Sequence, residues 1–147
     1  MRFNPFFVFL KSISLLLMGR ARFPRERVGQ EVAKDGQRHT IFRQVVMRPA
    51  PSQSQEPEGV FEVWFHARTS PRATRLLSRL TLLGFLGLPG FRSKLWLFDQ
   101  ATQGFGGIYE WDTVQDAESY ARSYAMRFSR FRSVPGKFTM RVFPTQT

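Results

Sequence analysis

The sequence predicts an α+β domain with four strands and two helices in the order strand, helix, strand, strand, helix, strand. Three observations carry this prediction. Segments with an apolar residue at every second position alternate with segments whose apolar residues recur every three or four positions. Clusters of Gly and Pro separate these segments. A residue that can cap a helix precedes each segment of helical spacing.

The first strand and helix are predicted within residues 60–83. Residues 60–67, VFEVWFHA, alternate with the period of two expected of a strand. Ser70 and Pro71 then provide an N-cap and a first-turn proline. The leucines that follow recur at helical spacing and predict a helix whose apolar side faces the sheet.

Two strands and a second helix follow. Gly84, Gly87, Pro89 and Gly90 end the first helix, and residues 92–98 and 105–111 alternate as the second and third strands.

Asp112 followed by Gln115 is typical of a capping box, and the apolar spacing from Val114 to Phe131 predicts one long helix. Residues 137–143 form the fourth strand. The order βαββαβ is the ferredoxin-like arrangement, a four-stranded antiparallel sheet with two helices on one face.

The domain is expected to span residues 59–147. Residues 50–58 are rich in Ser, Gln and Pro and are interpreted as a linker. Residues 1–49 form a basic N-terminal extension that carries an apolar segment, and residues 39–49 can form one further strand.

The apolar segment, residues 6–18, is shorter than the about 20 residues that span a bilayer. Arginines follow it where a secretory signal would have small residues. Three interpretations remain open: a signal peptide, a helix packed on its own domain, or a segment within residues 1–27 that contacts an anionic membrane or a partner. We expect a cytoplasmic protein, peripheral to the membrane under the third interpretation.

The composition excludes several kinds of site. The 147 residues contain no Cys and two His, so disulfides and thiolate metal sites are impossible and no metal site is predicted. The formal net charge of +11 indicates attraction to phosphates, acidic partners or anionic membranes, or simply an arginine-rich solvated surface.

The stretch QGFGGIYEW, residues 103–111, shares glycines and aromatics with the base-stacking strand of RNA-recognition motifs. Such motifs need aromatics on the open face at the positions of Phe105 and Gly107. Cleaner apolar rows on the other strands, including Leu95 and Leu97, are assigned to the helix side. On the third strand, the alternation likewise points Phe105, Tyr109 and Trp111 toward the helices. This orientation argues against nucleic-acid binding by this sheet.

Residues 89–120 resemble the YdhR-like family of monooxygenases. The resemblance rests on a Pro-Gly-Phe turn at residues 89–91, Lys94 and Trp96 spaced by one residue, and Gly-Gly-Ile-Tyr at residues 106–109. It extends more loosely over residues 59–144 and does not reach the N-terminal extension.

The resemblance implies a dimeric α+β barrel in which the helix-free faces of two sheets meet. It also implies a small aromatic or polycyclic substrate, held between sheet and helices, whose anion reacts with oxygen without any cofactor. On this basis we expect a homodimer. The expected dimer-interface residues are Trp64, Trp96, Phe98, Arg141 and Phe143.

Within that implied pocket, Tyr109 is the candidate hydrogen-bond donor to a substrate oxygen. His66, at the end of the first strand on the helix-free face, is the candidate general base. The candidate substrate-binding residues are Trp111, Gly107, Tyr120 and Tyr124. Each of these side chains can equally be part of the core or of the solvated surface.

The sequence therefore supports a monooxygenase-like protein that acts on or binds a small aromatic compound. The alternatives are a non-catalytic small-molecule-binding or regulatory dimer, and a basic module that binds RNA or an anionic membrane. A dinucleotide fingerprint is absent, because the glycines of residues 104–107 lie inside a strand.

Overall fold

The computed structural model describes residues 4–34, 36–48, 56–68 and 70–145. Within these ranges seven antiparallel strands form one sheet. The strands are β1 (Ala21–Arg22), β2 (Glu31–Lys34), β3 (Gln37–Met47), β4 (Gly59–Phe65), β5 (Phe91–Asp99), β6 (Gly104–Trp111) and β7 (Thr139–Pro144). The helices are α1 (Pro5–Leu17), α2 (Pro71–Thr81), α3 (Val114–Ala121) and α4 (Tyr124–Arg132), and a 3-10 turn spans Leu82–Gly84.

The predicted α+β, ferredoxin-like fold is confirmed. Strands β7, β4, β6 and β5 lie side by side in that order, with the helical segments connecting β4 to β5 and β6 to β7. The sheet is wider than the predicted four strands, because β3 pairs with the outer edge of β5 and itself carries β1 and β2.

The N-terminal extension thus contributes a long strand to the same sheet. Residues 49–55, which include most of the predicted linker, lie outside the described residues. The boundary between extension and domain stays a prediction.

The second helical segment is two helices and not one. The backbone N–H of Ser123 bonds to the carbonyl of Tyr120 at 3.0 Å, a tight turn that ends α3 and redirects the chain into α4. As a result the predicted apolar stripe does not continue. Met126 is buried, whereas Phe128 and Phe131 are exposed.

The start of α3 also differs from the prediction. The cap is Thr113, whose hydroxyl accepts a hydrogen bond from the N–H of Asp116 at 3.0 Å. Asp112 does not cap the helix and instead forms an ion pair with Arg92 at 3.0 Å, at the start of β5. By contrast, Ser70 caps α2 as predicted, accepting from the N–H of Ala73 at 3.2 Å.

The face assignment of β5 is wrong in the sequence analysis. Lys94 pairs with Tyr109 and Trp96 with Gly107, and partners in an antiparallel pair point to the same side. Lys94, Trp96 and Phe98 therefore face the helices, while Leu95 and Leu97 face the other way. The error has a physical cause: β5 is buried on both faces, so neither row is polar enough to mark the solvent side.

Helix α1 is docked on the domain. The hydroxyl of Ser12 accepts a hydrogen bond from the N–H of Gly87 at 2.9 Å, and Val8 is buried beside it. The opposite side of α1 is solvent-exposed and apolar, with Phe6 at 69% and Leu17 at 83% exposure. Among the described residues no helix is long and apolar enough to cross a membrane.

Candidate functional site

A cavity of about 180 Å³ lies between the helix side of the sheet and the helices. Its floor comes from β3 to β6 and its roof from α2, the 3-10 turn, α3 and α4. Nine of the twenty described residues that line it are aromatic, and one of them, Phe128 of α4, is half-exposed.

The leucines of the first helical segment do not fill this space. Leu76 and Leu80 point into solvent, at 61% and 62% exposure, so the predicted inward side of α2 is wrong. The helix instead presents Thr74, Ser78 and Thr81, spaced by four and three residues, to the cavity. Because α2 lies over a cavity and not over packed apolar side chains, the side of α2 that faces the sheet carries short hydroxyl side chains.

Lys94 places an amine at the floor of the cavity. Its Nζ lies 4.4 Å from the ring centroid of Tyr109, 4.5 Å from that of Trp96 and 4.9 Å from that of Phe85. Burial lowers the pKa of Lys94 well below its ordinary value, and the positive charge of nearby Arg43 lowers it further. Aromatic faces compensate an ammonium only partly, so this environment favours the neutral amine.

Several hydrogen-bond donors surround the same cavity. Trp96 and Arg132 both line it, and the buried Trp96 Nε1 and Arg132 Nε find no hydrogen-bond acceptor among the described residues. Arg43, which donates to the Ser78 hydroxyl at 2.6 Å, lies over the Trp96 ring. No acidic side chain is among the described residues that line the cavity. A site with cationic and donor groups but no carboxylate suits a ligand that carries an acceptor oxygen or a negative charge.

Three tyrosines bring hydroxyl groups to the cavity. Tyr120 donates to the hydroxyl of Tyr109 at 3.3 Å, which leaves the Tyr109 hydrogen available for a ligand. Burial raises the pKa of Tyr109 and of Tyr120, so both are neutral donors at ordinary pH. Tyr124 donates to the carbonyl of Gly84 at 2.7 Å and thereby ties α4 to the 3-10 turn.

Gly107 keeps the floor of the cavity open. A Cβ at this position would lie 3.0 Å from Tyr109 Cε1 and 3.2 Å from Lys94 Cε, closer than ordinary side-chain contacts. Any other residue would displace one of these two side chains.

Of the predicted site residues, the structure brings Tyr109, Gly107, Tyr120 and Tyr124 together around the cavity. Trp111 lies outside the lining, packed in the core at 4.9 Å between ring centroids from Tyr120. His66 is also remote from the cavity.

His66 lies on the helix-free face. Phe65 lines the cavity, and His66, the next residue, is beside Gly104 on the opposite side of the sheet. Its Nε2 is 3.3 Å from where a Cβ of Gly104 would be. His66 is thus not among the described residues that line the cavity, and its role as general base stays a prediction.

Sequence reasoning missed Lys94 as a site residue. The sequence did contain a signal. A lysine in the middle of the apolar run of residues 91–98 is either solvated on one face of the strand or buried at a free-energy cost that suggests a functional role. Assigning Leu95 and Leu97 to the helix side placed this amine on the helix-free face. Arg132 was missed as well, because the sequence does not distinguish it from the neighbouring arginines at positions 127 and 130.

The helix-free face carries Trp64, Arg141 and Phe143. The His39 ring covers part of Trp64 at a centroid distance of 4.7 Å, and Arg141 pairs with Glu62 at 2.8 Å. Trp96 and Phe98 do not share this face, so their assignment to it is wrong for the reason given for β5. Within the described residues there is no cluster of three His, Asp or Glu that could hold a metal ion.

The chain was compared with known proteins. Neither a family model nor a curated protein sequence matches it. Solved structures with the same fold include an uncharacterized ferredoxin-fold protein related to antibiotic biosynthesis monooxygenases from Listeria monocytogenes. That structure has a TM-score of 0.55 and 15% identity over 81% of this chain and 70% of that one.

Two further structures are similar. A heme-degrading enzyme from Listeria monocytogenes has a TM-score of 0.55 and 16% identity, over 78% of this chain and 74% of that chain. An anthrone oxidase-like protein has a TM-score of 0.52 and 14% identity, over 76% of this chain and 55% of that chain. These likenesses establish that the chain has the ferredoxin-like fold that antibiotic biosynthesis monooxygenase-like proteins share.

Proposed function

We propose that the protein binds a small aromatic compound with an acidic hydroxyl group in the cavity and acts on it as a cofactor-independent monooxygenase. The observation that carries this proposal is the aromatic-lined cavity with a buried amine and free donors but no lining carboxylate. The resemblance to YdhR-like monooxygenases and the anthrone oxidase-like neighbour support the reaction class.

The size of the cavity sharpens the substrate class. An apolar cavity of about 150 Å³ takes one benzene ring, and the cavity here measures about 180 Å³. A compound with one substituted ring therefore fits the space as it stands. A polycyclic compound is larger than this space.

In the reaction we propose, the substrate itself supplies the electrons that reduce O₂. Deprotonation of the hydroxyl group gives an electron-rich anion that reacts with O₂. In the oxidation of a one-ring hydroquinone to a hydroxyquinone, one oxygen atom becomes the new ring hydroxyl group and the other leaves as water with two hydrogens of the substrate. Tyr109 would donate a hydrogen bond to the substrate oxygen, and its neutral hydroxyl is suited to that role.

Oxygen uptake tests this proposal. A panel of one-ring hydroquinones, phenols and anthrones is incubated with the full chain, and O₂ consumption and product formation are followed. We expect turnover of at least one compound, lost in Tyr109→Phe without loss of the fold. Binding of the same compounds with no O₂ uptake across the panel would favour the non-catalytic binding protein.

We also propose that the protein is a homodimer that pairs through the helix-free face. Trp64, Arg141 and Phe143 retain this role, since they share that face. Sedimentation at micromolar concentration tests it. A dimer that Phe143→Asp converts to a monomer supports the proposal, and a wild-type monomer contradicts it.

A second candidate function, contact with an anionic membrane, is favoured by the outer side of α1. Phe6, Phe7, Leu10 and Leu17 are all at least 50% exposed on a docked helix. Arginines follow it directly at positions 20, 22, 25 and 27, with Glu26 as the one acid among residues 4–30. Exposed apolar surface next to positive charge is typical of a helix that lies in the interface of anionic bilayers.

Vesicle sedimentation tests this second candidate. The protein should bind vesicles that contain phosphatidylserine more strongly than pure phosphatidylcholine, and added salt should weaken binding. Phe6→Ser with Leu10→Ser should abolish it, whereas Phe131→Ser, equally exposed on α4, should not. Equal loss in the control would contradict a role for α1.

A further inference from the structure

The Lys94 amine lies at a point where it can reach a bound ring. It sits within 5 Å of three ring centroids, from the 3-10 turn region, β5 and β6, and its strand forms the cavity floor. A flat ligand seated against the same aromatic walls places its substituents beside this nitrogen. Lys94 is therefore placed to contact a ligand bound in the cavity.

The charges around this amine are all of one sign. Arg43 from β3 acts on it electrostatically, and the Tyr109 ring of β6 lies 4.4 Å from it. Tyr120 from α3 and Arg132 from α4 line the same cavity. No carboxylate among the described residues forms an ion pair with Lys94. An ammonium in the empty cavity would thus lack a counter-ion, and burial and Arg43 accordingly lower the pKa of Lys94.

We propose that the Lys94 amine takes the proton of the ligand's acidic hydroxyl group and then, as an ammonium, holds the resulting oxygen anion. This inference rests on the proposed binding of an acidic aromatic compound. In the step one O–H bond breaks and one N–H bond forms, and the two new charges neutralise each other inside the cavity. No proton is exchanged with solvent when ligand and amine both start neutral.

The same step accounts for the unpaired donors. An oxygen anion beside Lys94 would offer lone pairs to the buried Trp96 Nε1–H, which lies on the cavity wall without an acceptor among the described residues. Arg132 Nε is a second such donor. The positive charges of Arg43 and Arg132, which oppose an ammonium in the empty cavity, favour an anion in the occupied one.

A chromophoric phenol tests the inference. The probe is 4-nitrophenol, whose phenolate has its own absorbance band, and the full chain is titrated with it at a pH below the probe's own pKa. The wild-type protein should convert bound probe to phenolate. Lys94→Met and Lys94→Gln should bind it as neutral phenol, with affinity lower by about tenfold. Lys137→Met, which removes an exposed lysine, should behave as the wild type.

Every other outcome contradicts either the role of Lys94 or the proposed function. Bound probe that stays neutral in the wild type overturns the role of Lys94 but leaves the proposed binding function intact. A phenolate band that persists in either folded Lys94 variant also overturns it, since another group then holds the anion. Absence of binding to the wild type contradicts the proposed function itself and the inference with it.

Discussion

The Tyr120 hydroxyl donates to the Tyr109 hydroxyl at 3.3 Å, deep beneath the helices. The pair matters because Tyr109 alone keeps a hydrogen for a ligand, while the hydrogen of Tyr120 is already used. The two residues therefore share one hydrogen bond, but only Tyr109 has a hydroxyl hydrogen left to donate to a ligand.

This difference gives a matched pair of variants. Tyr109→Phe and Tyr120→Phe lose the same hydrogen bond, so both should lower the free energy of unfolding by about 1–3 kcal/mol. Only Tyr109→Phe should also weaken binding of a phenolic ligand, by about tenfold. Denaturant unfolding and ligand titration measure the two effects. Equal losses of affinity in both variants would mean that Tyr109 acts only through its partner.

Two neighbouring glycines provide a second matched pair. Gly107→Ala pushes a methyl group toward Tyr109 and Lys94, and we expect a loss of ligand affinity with a destabilisation of about 1–3 kcal/mol. Gly106→Ala clashes with the Trp64 ring on the opposite face. It should destabilise the protein as well but leave the affinity of the folded fraction unchanged. The reverse pattern would place the ligand on the helix-free face.

Stability should depend on pH through Lys94. Its pKa is lower in the folded state than in the unfolded chain, so the unfolded chain binds more protons between the two values. The free energy of unfolding must then rise with pH in that window, by up to about 1.4 kcal/mol per pH unit below about pH 10. Lys94→Met should remove this rise and Lys137→Met should keep it. A wild-type stability that is flat over the window would show that Lys94 is solvated.

At higher pH the tyrosines reverse the trend. The pKa of both Tyr109 and Tyr120 is raised in the folded state, so stability present below about pH 10 is lost as the pH rises further. We expect Tyr120→Phe to reduce this loss, measured as the slope of the unfolding free energy above pH 10. An unchanged slope would contradict the burial of the pair.

The corrected start of α3 predicts two different costs. Thr113→Ala removes the N-cap and should cost about 1 kcal/mol. Asp112→Ala removes a charged hydrogen bond to the largely buried Arg92 and should cost more, about 2 kcal/mol. Denaturant unfolding of both variants checks the order. A larger loss of unfolding free energy in Thr113→Ala than in Asp112→Ala would contradict a major stabilising role for the Asp112–Arg92 ion pair.

The sequence was sufficient for the ferredoxin-like order because each strand and helix has its own local signals. It also turned Phe105, Tyr109 and Trp111 inward correctly, and all three are buried. The face of β5 could not be deduced in this way, since an interior strand that is buried on both faces has no solvent-facing row to mark its orientation. The cavity itself could not be predicted, because it depends on the break between α3 and α4 at Ser123 and on which side of α2 faces the sheet. Neither is a local property of the sequence.

The central claim is that the cavity beneath α2 and α4 binds a small acidic aromatic compound. The most direct measurement is the affinity for 4-nitrophenol of the wild-type protein and of Ala125→Phe, which fills the cavity from α4. Ala101→Phe, at the exposed turn between β5 and β6, is the control. The account predicts binding to the wild type and the control and at least about tenfold weaker binding to Ala125→Phe. Equal affinity in all three proteins would contradict it.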